Sequence, residues 1–487
     1  MRLVKEMPFA RLRYWAMAAS VVATGCLVFG AISGPASALS LQQAVQETIA
    51  NDPDILAAEE NREAIEFELR QARGLYLPQI DVESSIGARR LDNDSRRAAG
   101  EEGTALFPRD IGVSLNQTLF DGFGRDAEVE RQASRVDGAS YRVYERSEFI
   151  GLQVTREFIE VLLQDAIIKE ARKNVAFHRA IIADIREGVN SGTLTSADLE
   201  QGIERLLGAE SRVIEAQEQR AIATIRLQRY VNRPVHGVGG LPSLGHFVPQ
   251  SRAQAVALAR QHNPLILLAT ADIDTAAAEL KSAKSSFYPR IDLEGLARTG
   301  EDIDGDDDRT SDLQVRLALR WNIYRGGIDS ADVQEQIRRL GEARKLRDLS
   351  VREVEQNVRA AWITRTKQRA LQRKLEEQAA ANNDVVTSYR EQFRIGLRSL
   401  LDLLDAQNTR FNTNVLVHTS RFAAAFADYR VVAATGRLLD ALHTAKPPQA
   451  EAFARAEAHV PPPPKPKDLK RKDPYFGRIE YFRSDLD

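Results

Sequence analysis

The side chains able to do chemistry are scattered along this chain. Seven histidines, His178, His236, His246, His262, His418, His443 and His459, include no pair four apart with a carboxylate between, so the spacing of a metal-hydrolase site is missing. Asp302, Asp304, Asp306, Asp307 and Asp308 are dense enough for a calcium loop but lack the glycine required at loop position six, and they read as a solvated outer loop. Gly237, Gly239 and Gly240 have no strand before them and no helix after them, which points to a chain crossover rather than a nucleotide fingerprint. Cys26 is the single cysteine, which excludes intrachain disulfides, thiolate zinc sites and iron–sulfur ligation. With no convergent acid, base and nucleophile, the expectation is a protein that is not an enzyme and needs no metal or cofactor. One acidic pair stands out. Asp402 and Asp405 are three apart on a predicted helix and share a face; taken alone they read as an acidic helix start facing the positive end of the dipole.

The composition fits that absence. Of 487 residues, 67 are basic and 69 acidic, a net charge of −2 that gives no global case for a nucleic-acid partner. Aromatic residues are only 7%, low for one large globular core, and the Ala-, Gln-, Glu- and Arg-rich stretches suggest long helices. At the N-terminus Arg2, Lys5, Arg11 and Arg13 precede an apolar run from Trp15 to Ile32, followed by Ala36-Ser37-Ala38. That order reads as an export signal, residues 1–38, cleaved after Ala38; a retained membrane anchor is the alternative. Thr24-Gly25-Cys26 weakly resembles a lipoprotein site, but the apolar run continues past the cysteine through Leu27, Val28 and Phe29.

The chain repeats itself. Shifted by 211 positions, residues 43–83 align with 254–294 without a gap and with 14 of 41 identities, among them Pro53 with Pro264, Leu69 with Leu280 and Pro78 with Pro289. Beyond, the shift falls to 204, where Gly122 meets Gly326, Gly192 meets Gly396 and Asp198 meets Asp402. The units are expected at 39–240 and 241–442. Each holds a helical pattern (41–77 in the first, stopped by Pro78), two strands, a long helix, a glycine turn and a returning helix. The long helix runs from Arg125 to Val189 without proline, and Val154, Val161, Ile168, Val175, Ile182 and Val189 recur every seven residues, a coiled-coil seam. The matching column in the second unit is interrupted at Arg365 and Gln372. Turns at Asn190–Thr195 (with Gly192) and Arg394–Ser399 (with Gly396) then sit at one end of a rod and the strands at the other.

Strand periodicity is clearest at Leu313, Val315, Leu317, Leu319, Trp321 and Ile323, which alternate with Gln314, Arg316, Ala318, Arg320 and Asn322. The apolar face packs on a core in a soluble sheet; in a membrane barrel it faces lipid. Four strands cannot close a membrane barrel, since the smallest need eight. Two copies would give eight strands and a filled interior, three would give twelve and a pore.

The duplicated helix–strand–strand–helix–turn–helix unit resembles the TolC-type outer-membrane efflux and secretion family over residues 39 to about 442. Strands ending in Leu119-Phe120-Asp121-Gly122 and Ile323-Tyr324-Arg325-Gly326 carry the resemblance, and most specifically so do Phe393, Gly396, Arg398 and Asp402-Leu403-Leu404-Asp405-Ala406-Gln407. It implies a mainly α protein with a small β part: a homotrimer whose twelve-stranded barrel meets outer-membrane lipid in a Gram-negative bacterium. Its coiled-coil α-helical barrel would cross the periplasm to an inner-membrane transporter and its adaptor. On the same resemblance Asp402 and Asp405 would ring the periplasmic entrance and attract cations. Arg398, Asp198 and Phe393 would be closing contacts, with Phe393 lacking the hydroxyl of the family's tyrosine. Such ducts serve type I protein secretion or small-molecule efflux, and the Leu119–Arg125 segment together with the unconvincing lipoprotein site leans to secretion. The alternative is a periplasmic coiled-coil scaffold with no pore. Residues 443–487, with Pro461–Pro464 followed by Lys465, Lys467, Lys470, Arg471 and Lys472, read as a flexible basic tail.

Overall fold

The computed structural model describes residues 38–101, 103–305 and 308–472, so residues 1–37 of the expected signal segment with Cys26, together with Asp306, Asp307 and residues 473–487 of the expected tail, lie outside the described residues. The first unit runs α1 (Leu41–Asn51), α2 (Pro53–Gly74), β1 (Gln79–Ile86), β2 (Arg89–Arg90), α3 (Asp94–Ala99), β3 (Ala105–Leu106), β4 (Arg109–Phe120), α4 (Gly124–Asn190) and α5 (Ser196–Val231). The second runs α6 (Arg252–His262), α7 (Pro264–Ser285), β5 (Arg290–Glu301), β6 (Arg309–Arg320), α8 (Ile328–Arg394) and α9 (Leu400–Ala434), and the chain ends with α10 (Leu438–Ala441) and α11 (Ala454–Glu457).

Local chemistry sets the boundaries. The helical pattern over 41–77 is in fact two helices, because Asp52 closes α1 and its side chain accepts the amide of Asp54 as the N-cap of α2, with Pro53 at the first position. Asn263 and Pro264 repeat this between α6 and α7. The polar stretch between the first two strands is not a bare loop but holds β2, α3 and β3. Helices α4 and α8 are each 67 residues, roughly 100 Å of uninterrupted helix. In α4 the column Val154, Val161, Ile168, Val175 and Ile182 is buried. In α8, Val358, Ala379 and Val386 are buried, whereas Arg365 departs from the apolar column by pairing with Asp428 of α9 at 2.6 Å.

The sheet at one end of these helices is antiparallel in the order β1-β4-β5-β6, leaving β1 and β6 as unpaired edges. Its register puts Val82, Val113, Ala297 and Leu313 in one row and Ile80, Leu115, Gly295 and Val315 in the next, so the two units build one continuous apolar face. The expected strand through Ile323 stops at Arg320. Trp321 and Ile323 lie beyond it, where the chain turns through Gly326 and Gly327 into α8, and the Trp321 indole donates to Phe287 O at 3.1 Å.

The largest core lies at the waist, where Leu41, Val45, Ile55, Val154, Phe158, Leu227, Val432 and Leu438 are buried together. Here the crossover glycines meet the start of the described chain, with Leu39 N–H donating to Gly237 O (3.0 Å) and Gly239 N–H to Leu39 O (2.8 Å). Glu148 of α4 is buried and accepts the amides of Leu438 (2.9 Å) and Leu439 (3.1 Å). Burial pushes its carboxyl up to about 7 despite those donors.

The described part of the C-terminal segment is not a solvated tail. Residues 443–472 cross α2, α4, α7 and α8 as a strap. Asp137 accepts the amides of Ala454 (2.8 Å) and Arg455 (3.2 Å), Arg455 pairs with buried Asp274 (2.5 Å), Arg62 lies 5.4 Å over the Phe453 ring, and Leu469 joins Ile273, Ile337 and Leu340. A proline-rich stretch has no periodicity to reveal burial, yet its exposed carbonyls are ready acceptors. Arg344 takes Pro464 O and Gln334 takes Lys470 O.

Candidate channel entrance and membrane face

Two turns form the end of the molecule opposite the sheet. The first passes through Gly192 and the second through Gly396, at φ +77° and +75°, where a side chain would be strained. Each then enters a capped helix. The Thr195 amide and hydroxyl both donate to Asp198 Oδ2 at 2.8 Å, while Asp198 N–H donates back to Thr195 Oγ1 at 3.2 Å. Those donors hold the Asp198 carboxyl below its ordinary range. On the other hairpin Ser399 Oγ accepts the amide of Asp402 at 3.1 Å.

Between the turns is an apolar plug of Ile181, Ile185, Leu400, Leu403 and Leu404, with Phe177, Val189, Leu194, Leu199, Tyr389 and Phe393 against it. Phe393 therefore belongs to the packing of the tip. Leu403 and Leu404 face inward, which leaves Asp402 and Asp405 on the outward face, 49% and 62% exposed. Asp402 lies 3.7 Å from Arg398 one turn earlier, and Asp405 lies 3.8 Å from Arg205 of α5. The Arg398 guanidinium sits 4.2 Å over the Tyr389 ring and donates to Gln392 Oε1 at 3.1 Å. Within the chain it does not reach Asp198, so the expected closing pair is not an intrachain contact. Each partner is engaged by its own helix end.

Sequence reasoning missed the polar groups buried in the seam between the hairpins. Gln407 Nε2 donates to Asn174 Oδ1 at 2.6 Å and Asn414 Nδ2 to Glu170 Oε1 at 2.7 Å, joining α9 to α4. His178, 5% exposed, is pushed down to about 4 by burial and by the nearby charge of Arg205. Asp184 of α4 faces both Arg390 (3.8 Å) and Arg394 (3.4 Å) of α8. The available signal was the heptad itself, since His178 falls in the column of Ala171 and Ile185.

At the other end, Leu313, Val315, Leu317 and Leu319 on edge strand β6 are 81%, 71%, 66% and 63% exposed, and Ile80 and Val82 on β1 are equally bare. The opposite face carries ion pairs: Asp292 with Arg290 and Arg320 (2.9 Å each), Glu294 with Arg316 (2.5 Å), and Asp110 with Arg298 (3.0 Å). No described helix is long and apolar enough to cross a membrane. An antiparallel sheet apolar on one face and charged on the other, set on helices of about 100 Å, has the design of a lipid-facing barrel wall with a polar lumen. It defines one subunit of an outer-membrane channel.

A model of the outer membrane efflux protein family matches residues 44–233 and 255–437, well over half of the chain, and the chain belongs to that family. It is 26% identical over 388 residues to the outer membrane efflux protein BepC of Brucella suis, covering 75% of this chain and 78% of that one. It is 22% identical over 412 residues to the proteases secretion protein PrtF of Dickeya chrysanthemi, covering 79% and 86%. A membrane protein from Pseudomonas aeruginosa solved by crystallography shares the fold with a TM-score of 0.69 at 17% identity, over 82% of this chain and 90% of that one. The family places the protein in the outer membrane of a Gram-negative bacterium, as an efflux or secretion duct.

Proposed function

We propose that three copies close the sheet into a twelve-stranded barrel, β6 of each against β1 of the next, over an α-helical conduit that meets an inner-membrane transporter and its periplasmic adaptor. The observation that carries this reading is the pair of unpaired edge strands flanking a one-sided apolar sheet. Exposed backbone groups cannot remain unpaired in hydrocarbon, and four strands do not close alone. At the tip, Asp402 and Asp405 ring the entrance, and Arg398 meets Asp198 of the neighbouring copy through Asp198 Oδ1, since Oδ2 serves the helix cap.

Closure is tested with cysteine pairs in a chain whose only native cysteine is Cys26. Val82→Cys on β1 is combined in turn with Ser311→Cys, Leu313→Cys or Val315→Cys on β6. Within one chain β1 and β6 are separated by two strands, roughly 14 Å, beyond disulfide reach, so any bond is between copies. A covalent trimer is expected from at least one pair. A covalent species that stops at two chains, or none from any pair, overturns the trimer.

For cargo we assign type I protein secretion, supported by the likeness to PrtF; small-molecule efflux is the second reading, favoured by the likeness to BepC. Deleting the gene should remove proteins from the culture medium. Unchanged secreted protein with heightened sensitivity to toxic compounds would select efflux.

A further inference from the structure

The end of the strap and the upper part of α8 flank an open-sided cavity of about 650 Å³ that nothing in a duct requires. Arg344, Lys345 and Arg347 line it from α8, and Lys467 and Arg471 from the strap, against one carboxylate, Asp348. Asp348 is engaged by Lys345 at 3.4 Å, so the cavity carries a net charge of four positives. Among the described residues, Arg344, Arg347, Lys467 and Arg471 have no carboxylate within ion-pair distance.

Arg344 and Arg347 are half-buried there, Lys345, Lys467 and Arg471 are exposed, and two further features mark the site. Arg344 donates one guanidinium nitrogen to Pro464 O, while its Nη1 is buried without any partner. A buried donor of this kind is costly unless something accepts from it. Gly341, one turn before Arg344 and Lys345, lets the Arg471 guanidinium lie against the helix: a Cβ there would meet Arg471 Nη2 at 2.7 Å. Like charges drawn together around an unpartnered donor fold only at a cost, and burial together with Arg471 lowers the proton affinity of Arg344.

We infer that this cavity is a binding site for a soluble anion carrying two or more phosphate charges, gripped between the strap and α8. Guanidinium forks and ammonium groups converging from two segments suit phosphate oxygens, and the volume suits a small molecule. Position argues against a lipid headgroup as the source. Helix α8 starts at Ile328 beside the sheet, and Gly341 to Arg347 lie roughly 20 to 28 Å further along it, below the reach of a membrane surface. A ligand here would fasten the strap across the helices it crosses.

The test is calorimetric titration of the purified full-length protein in a neutral detergent with inorganic pyrophosphate, with orthophosphate and phosphatidylglycerol vesicles as separate arms. Saturable pyrophosphate binding is expected, stronger than orthophosphate and weakening as salt rises. Lys467→Gln with Arg471→Gln should weaken it about tenfold or more. Arg373→Gln, an exposed cation on the same helix outside the cavity and away from the strap, should change affinity by less than about twofold. No pyrophosphate binding, or binding insensitive to Lys467→Gln with Arg471→Gln, overturns the site. Vesicles that displace pyrophosphate would overturn the soluble source and assign the phosphate to lipid.

Discussion

Placing arginine on the apolar face of β6 tests the membrane assignment most directly. The strand has 12 residues, roughly 40 Å of extended chain, which at a tilt near 45° crosses about 28 Å of hydrocarbon. Its midpoint falls between Gln314 and Val315, so Val315 lies within ~2 Å and Leu317 within ~6 Å of the midplane along the normal. An arginine facing lipid at that depth costs about 2 to 4 kcal/mol, so Val315→Arg with Leu317→Arg should cost roughly 4 to 7 kcal/mol per chain. That approaches the whole stability of an ordinary domain, and three copies per barrel multiply it. Gln314→Arg is the matched control. Gln314 is cross-strand from Leu296 in the row of Ser114 and Asp81, on the charged face, where an arginine meets water and a carboxylate. Outer-membrane fractionation and the yield of detergent-resistant oligomer report the outcome. The double variant should be lost from the membrane while Gln314→Arg stays near wild type. Wild-type yield of the double variant, or equal loss of the control, would refute the lipid-facing assignment.

Three further outcomes are expected. Asp402→Asn with Asp405→Asn should reduce cation preference in planar-bilayer recordings by roughly fivefold or less, since an exposed charge acts at about 1 kcal/mol over 4 Å of water; unchanged selectivity would place the carboxylates outside the conduction path. Arg398→Ala should raise single-channel conductance, and its effect should be non-additive with Asp198→Ala by roughly 0.5 kcal/mol or more if the two meet between copies; purely additive effects would leave the tip closed by Ile181, Leu403 and Phe393 packing. Glu148 binds its proton more tightly in the folded chain than an ordinary glutamate of 4.5, so stability should be greatest below that pH and be lost as pH rises through about 7, by roughly 3 kcal/mol at most. Glu148→Gln should remove that slope in apparent melting temperature between pH 5 and 8, and parallel profiles for the two proteins would count against a buried carboxyl.

What the sequence determined was everything written in short-range periodicity. Prolines 53, 78, 264 and 289, the glycines of the two turns and the seven-residue valine and isoleucine column mark where helices start, run and reverse. Alternation along β6 showed a one-sided strand, though not that it ends at Arg320, because alternation continues into the turn where backbone pairing does not. The tertiary structure decided whatever depends on register between segments hundreds of residues apart. Glu148 meets Leu438 across 290 positions, Gln407 meets Asn174 across 233, and the strap meets Asp137 across 317, none of which leaves a local pattern. The tip residues show the same limit. The sequence placed Phe393, Arg398, Asp402 and Asp198 at the two turns, but only packing put Phe393 into the plug and gave Arg398 and Asp198 to their own helix ends. Hydrogen-bonding backbone repeats are encoded residue by residue; side-chain partners are chosen by which helices lie side by side.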